Sequence, residues 1–155
     1  MKKNFLKLTF KHKNISVVAE MLEDEAPVTC ELIWNMLPIQ NNLIHGRYSG
    51  SEVFLLVDPP KIFHEENKTQ LPLPGELLFW YDRGTAVTSS SRPVAEVIFI
   101  FDRGVTLRSA EGVPTHANLF GRIAGDWKHD WLDFRNACAE IRLKGTEQLL
   151  IEKID

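Results

Sequence analysis

Apolar and polar side chains alternate with a period of two along most of this chain, and that period belongs to β-strands with one face turned inward. Leu6, Leu8 and Phe10 fall on one face, with Lys7 and Thr9 on the other. A Lys11–Asn14 turn leads into Ile15, Val17 and Ala19, which completes a first hairpin. Leu43 to Ser49 and Glu52 to Val57 read as two further strands joined at Gly50-Ser51, a pair compatible with a type II′ turn. Glu76 to Tyr81 and Glu96 to Phe101 follow, separated by the polar Thr85–Pro93 segment, and then Ala117 to Ile123. Near the end, Ile141 and Leu143 alternate with Glu140, Arg142 and Lys144 ahead of a Gly145-Thr146 turn and a last strand from Leu149 to Ile154. The proline-rich stretch from Asp58 to Pro74 carries little periodicity and reads as a long exposed loop.

Two segments break the period. Asp24 and Glu25 precede Pro27, a residue suited to a first helical turn because its missing N–H has no helical partner there. Cys30, Ile33, Trp34 and Leu37 then share a helical face, and Pro38 ends the run. In the second segment Asp126 is placed to cap a helix whose Trp127, Trp131, Phe134 and Cys138 share a face. Eight or nine strands with one early and one late helix predict a mainly β domain, a closed or nearly closed antiparallel barrel, because closure removes exposed sheet edges. The two short helices then cap the open ends, with Trp34 and Trp131 as plugs. A two-layer sandwich fits the same pattern.

Composition limits the class. A chain of 155 residues that is 44% hydrophobic and 25% charged is an ordinary globular chain and fits one domain over 1–155. Its longest apolar runs, such as Val97 to Phe101, fall far short of the roughly 20 residues of a spanning helix, so no membrane association is expected. Lys7, Lys11 and Lys13 interrupt any apolar stretch near the start, which argues against a signal peptide. Cys30 and Cys138 are the only cysteines and lie among apolar neighbours, a usage that suits a reducing cytoplasm. With a net charge of −3 and no basic stripe, nucleic acid is not an expected partner.

The order of elements, with Ala26-Pro27-Val28-Thr29 opening a helix, Leu37-Pro38 closing it and His45-Gly46-Arg47-Tyr48-Ser49-Gly50 after it, resembles the small bacterial cyclophilin-like-fold proteins of unknown function. Pro74 to Tyr81 and Asn118 to Ile123 fit that group too, so the resemblance spans nearly the whole chain. It implies a single cyclophilin-like domain, with a barrel shared with the prolyl isomerases and, more loosely, with cucumopine synthase. The catalytic Phe-His and Gln-Gly-Gly stretch of the prolyl isomerases has no counterpart here, so conventional prolyl isomerase activity is not expected.

The sharpest candidate cluster is His45, Arg47 and Ser49. On a strand, residues two apart project from one face about 7 Å from each other. Arg47 can clamp a carboxylate and His45 can act as general acid or base, which makes these two the candidate catalytic pair; an exposed polar strand face fits the same spacing. Glu52 faces Ser49 or Arg47 across the turn, either in the site or in a surface ion pair. Tyr81-Asp82-Arg83-Gly84 and Phe101-Asp102-Arg103-Gly104 form an internal echo that is ordinary turn chemistry or else sets Arg83 and Arg103 on a rim walled by Trp80, Tyr81 and Phe101. Asn118, Phe120 and Arg122 share a face by period two, on a groove or in solvent, and His116 on the preceding loop is a weaker acid or base.

The five histidines are scattered without ligand spacing, and no phosphate loop or nucleophile elbow is present; neither metal nor cofactor is expected. These features point to a pocket for a compact polar or carboxylated small molecule, used by a metal-independent lyase, isomerase or hydrolase. A non-catalytic ligand-binding or sensor domain and a peptide-binding module are the alternatives, and homo-oligomerisation is compatible with any of them.

Overall fold

The structure is a computed structural model that describes residues 3–84 and 91–154, so residues 85–90 of the polar Thr85–Pro93 segment lie outside it. In chain order the elements are β1 (Phe5–Phe10), β2 (Ile15–Met21), α1 (Pro27–Met36), β3 (Ile39–His45), β4 (Glu52–Val57), β5 (Lys68–Thr69), β6 (Glu76–Asp82), β7 (Val94–Ile100), β8 (Ala117–Ile123), α2 (Leu132–Lys144) and β9 (Glu147–Ile154). The strands run β2-β1-β9-β3-β4-β7-β6-β8, and β8 pairs back onto β2, which closes an eight-stranded antiparallel barrel. The short β5 is added outside this ring along β8.

Register explains which side chains enter the barrel. Leu6 faces Ala19, and Leu8 faces both Val17 and Ile151, so the apolar set of the first hairpin lands on one surface. Odd-numbered residues of β4, β6 and β7 (Val53, Leu55, Leu77, Phe79, Val97 and Phe99 among them) join that core. The helices complete it. Cys30 and Ile33 enter from α1, and Phe134, Ala137, Cys138 and Ile141 from α2. Trp131 is buried against Phe99 as a plug should be, whereas Trp34 is half-buried at the margin with the Lys153 ammonium 4.6 Å above its ring.

The structure corrects three expectations. The stretch from Ile141 to Lys144 is not a strand; α2 runs on through Lys144 and stops at Gly145, whose φ of +98° suits glycine and ends the helix. Leu143 is accordingly exposed. Asp126 does not cap α2 either, because it closes a separate turn by accepting the Lys128 and His129 amides. Finally, the β3–β4 connection is not a two-residue turn at Gly50-Ser51. Strand β3 ends at His45, and residues 46–51 form an irregular segment.

The outer surface of the barrel is apolar as well over part of its girth. Leu78, Ile98, Ile100, Ala117 and Leu119 point outward and are covered by Val105 and Leu107 from the long connection between β7 and β8. That connection is sewn down by backbone hydrogen bonds from Thr106 to Ser49, Leu107 to Gln70 and Thr115 to Leu107. A second core therefore lies outside the ring, and the candidate site opens beside it.

Candidate functional site

Even-numbered residues of β4, β6 and β7 form rows across the outer wall. Ile98 stands between Phe54 and Leu78, and Glu96 stands between Leu56 and Trp80. The irregular 46–51 segment rises on one side of this wall, and residues 107–115 rise on the other. Between them lies a cavity of about 320 Å³ lined by Ile44, Phe54, Trp80, Val94, Ile98 and Leu107, with Glu52 and Glu96 as its acids. That volume is at the lower end of small-molecule sites.

The two carboxyl groups set the chemistry. Glu52 is only 7% exposed, and its Oε2 atom has no hydrogen-bond partner. Burial pushes its pKa from 4.5 to about 7, a displacement that the Ser49 hydroxyl partly offsets. Glu96 is driven up to about 8, chiefly by burial and then by repulsion from the Glu52 charge. Among the described residues neither acid has an ion-pair partner. A Cβ at position 46 would sit 2.5 Å from Glu52 Cγ, so glycine there leaves the space that the carboxylate arm occupies.

His45, Arg47, Ser49, Glu52 and Trp80 all line this cavity, but not through the expected same-face geometry. Because β3 ends at His45, Arg47 and Ser49 do not follow a strand period. His45 Nδ1 lies 2.6 Å from the Gly46 carbonyl, an acceptor, so Nδ1 carries a hydrogen and donates. Its ring stands edge-on to Phe101 at 5.5 Å. Arg47 is exposed on the rim, as is Arg108 opposite. Ser49 is buried and serves the scaffold: its Oγ accepts the Arg108 amide at 3.0 Å and donates to the Arg108 carbonyl at 3.4 Å. Ser49→Ala is expected to cost about 1–2 kcal/mol and to speed hydrogen exchange at the Arg108 amide; unchanged protection there would show that the clamp is dispensable.

Other expected site residues lie elsewhere. Trp80 turns its indole into the cavity and donates from Nε1 to Thr115 Oγ1 at 2.9 Å, so Tyr81, one residue on, faces the opposite way and packs against Phe63 at 5.0 Å. Phe101 belongs to the inner core behind His45. Arg103 is exposed in a turn where Asp102 accepts its amide at 2.7 Å, and Gly84 and Gly104 both have positive φ; the internal echo is turn chemistry.

The shared face of Asn118, Phe120 and Arg122 is broken by a β-bulge. Leu77 pairs with Gly121 and Leu78 with Leu119, so Phe120 is the extra residue and parity changes beyond it. Asn118, ahead of the bulge and paired with the core residue Phe79, is buried, donating to Thr29 Oγ1 at 3.0 Å and the His64 carbonyl at 2.7 Å while accepting the Glu66 amide at 3.2 Å. Phe120 is core, and Arg122 lies outside, paired with Glu76 at 3.1 Å. Glu52 is no surface salt bridge, and Glu96 was not anticipated at all. Its sequence signal is a lone acid inside the apolar run Val94 to Phe101, which is covered on both faces. Among the described residues no group of three or more His, Cys, Asp or Glu side chains could hold a metal ion, and no helix is long and apolar enough to cross a membrane.

Fold and cavity together define a closed eight-stranded antiparallel barrel with two helices and a ligand-sized hollow on its outer wall. The chain belongs to the DUF3830 family, proteins of unknown function, which it matches over residues 8–152. No curated protein matches it. Among solved structures it is similar to McbB in complex with tryptophan, with a TM-score of 0.67 at 15% identity over 95% of this chain. The chain spans 44% of the length of McbB. It is also similar to the hypothetical protein AF2241 from Archaeoglobus fulgidus, with a TM-score of 0.59 at 17% identity over 98% of this chain and 95% of that one. At these identities the likeness is one of fold.

Proposed function

We propose that this protein binds a compact small molecule in the outer-wall cavity and exchanges a proton with it through Glu52, as an enzyme of acid–base type that needs no metal. One observation carries the reading. A carboxyl group 93% removed from solvent, with an unpartnered oxygen, faces a cavity of ligand size beside the indole of Trp80. A pKa of about 7 puts both protonation states within reach near neutral pH, the condition under which a carboxyl can take up and return a proton in one cycle. His45, whose Nδ1 is held by the Gly46 carbonyl, lines the same cavity and is the second proton-transfer candidate, and Arg47 on the rim is the group that would orient a polar end of the ligand. That McbB, a barrel of similar form, has been solved holding tryptophan adds support for a small-molecule role.

The test is an NMR titration of the 15N-labelled protein with tryptophan and then with a panel of amino acids, amines and small carboxylic acids. Shifts are expected to cluster on Gly46, Glu52, Thr115 and the Trp80 indole N–H, and to vanish in Trp80→Ala. Ligands whose shifts map only to other surfaces would overturn the assignment. For any ligand that is turned over, Glu52→Gln is expected to lower kcat by about 100-fold or more, the usual scale of lost general acid–base catalysis.

A further inference from the structure

The charge of the cavity floor specifies more than a location. Glu52 on β4 and Glu96 on the neighbouring β7 line this one cavity, with the Phe54–Ile98 pair between their rows, and no cation among the described residues is paired with either. The other cationic or titratable groups that line the cavity are His45 on β3, Arg47 and Tyr48 on the 46–51 segment and Arg108 on the covering connection, and both guanidinium groups belong to exposed rim residues. The remaining walls are apolar: Ile44, Phe54, Ile98, Leu107 and the face of Trp80, an indole held in place by Thr115. A ligand that put a carboxylate on this floor would have to hold both acids in their protonated forms. A neutral apolar ligand would leave Glu52 Oε2 as unsatisfied as it is now. A protonated amine has three N–H donors and a full charge, and so can satisfy Glu52 Oε2 and favour the ionised form of the acids on this floor.

Resting on the proposed use of this cavity as the ligand site, we propose that its ligand is a primary ammonium compound with a flat apolar body. The ammonium sits on the unpartnered Glu52 Oε2, on the floor that Glu96 shares, and the apolar body lies over Phe54 and Ile98 toward Trp80. The sequence alone pointed to a compact polar or carboxylated ligand, with Arg47 able to clamp a carboxylate. With Arg47 exposed on the rim and two acids lining the cavity, the group inferred at the floor is a cation. The ammonium can belong to a simple arylalkylamine or to an aromatic amino acid, whose carboxylate would then point outward to Arg47 and Arg108.

The experiment compares four probes on one ring system by isothermal titration calorimetry at pH 7: phenethylamine, phenylalanine, 2-phenylethanol and 3-phenylpropionate. Phenethylamine, phenylalanine or both are expected to bind about tenfold or more tightly than the alcohol and the acid, and which of the two wins identifies the source of the ammonium. Glu52→Gln and Glu96→Gln are each expected to weaken that binding about tenfold or more. In the wild type, buffers of different ionisation enthalpy should reveal proton release on binding. If 3-phenylpropionate binds as well as the amines, at a site that Trp80→Ala abolishes, the ammonium inference falls while the cavity remains the ligand site. Failure of all four to bind at millimolar concentration also overturns the inference. Binding untouched by Trp80→Ala would overturn both readings.

Discussion

Glu52→Gln is expected to stabilise the ligand-free protein by about 2 kcal/mol at pH 8 and to leave it almost unchanged at pH 5. The sign follows from the direction of the shift. An ordinary glutamate titrates near 4.5, whereas Glu52 in the folded protein titrates near 7. Between those values the folded chain keeps a proton that the unfolded chain has lost, so stability falls as pH rises through this window. Below about 4.5 both states are protonated and the loss is absent. Above about 7 the folded state carries a buried, poorly solvated charge, at a full cost of roughly 3 kcal/mol. Glutamine keeps the shape and removes the charge. Some of the gain is offset because its amide also lacks partners in the cavity. Thermal unfolding of wild type and variant at pH 5 and pH 8 measures the difference directly. Equal destabilisation at both pH values would mean that Glu52 holds the fold together as an ordinary hydrogen-bonded carboxylate. Glu96→Gln is expected to act in the same direction, and the double variant should gain less than the sum, because each single change already removes their mutual repulsion.

A group that destabilises the empty protein and is nonetheless buried at the floor of a cavity suits a function that uses the charge. A bound cation would lower the pKa of Glu52 and return the stability that burial removes, so ligand binding and the pH dependence of stability are two measurements of one electrostatic fact. Nothing in the packing of the barrel demands an acid at either position: the neighbouring outward residues Phe54, Ile98 and Ile100 show that apolar side chains fill this wall.

The alternation of Leu6, Leu8 and Phe10 against Ile15, Val17 and Ala19 was legible because one face of that hairpin is core and the other is polar, so the period survives intact. Helix α1 was legible from Pro27 and the spacing of Cys30 and Ile33. The outer-wall site was only half legible. His45, Ser49, Glu52 and Trp80 fall in the region where the sequence concentrates polar groups, yet their geometry depends on the 46–51 segment leaving the strand, and on Gly46 making room for a carboxylate. Local periodicity does not encode either event. Glu96 stayed hidden because a strand covered on both faces has no polar face, and an acid within it looks like an interruption. Phe120 shows the same limit: one inserted residue in β8 reverses the parity of everything after it, and the pairing that creates the bulge is with β6, far away in sequence.

The end of the chain puts that distinction to a direct test. Read as a strand, residues 141–144 would set Ile141 and Leu143 on the same face; read as the last turn of α2, Ile141 is core and Leu143 is 88% exposed. Leu143→Ala is therefore expected to change stability by less than about 0.5 kcal/mol. Phe134, on the buried side of the same helix, is 1% exposed and packs against Phe10 at 5.0 Å and Phe99 at 5.2 Å, joining α2 to two strands of the barrel. Phe134→Ala empties that position. The loss of ring burial plus the cavity left behind is expected to cost about 3–5 kcal/mol, a large share of the roughly 5–15 kcal/mol that holds a domain folded. The melting temperature should fall by on the order of 10 °C. Urea unfolding of the two variants beside the wild type gives both values. A small effect at Phe134, or a large one at Leu143, would mean that α2 does not close the barrel through this face, and with it would go the account of how a ring of eight strands keeps water out of its core.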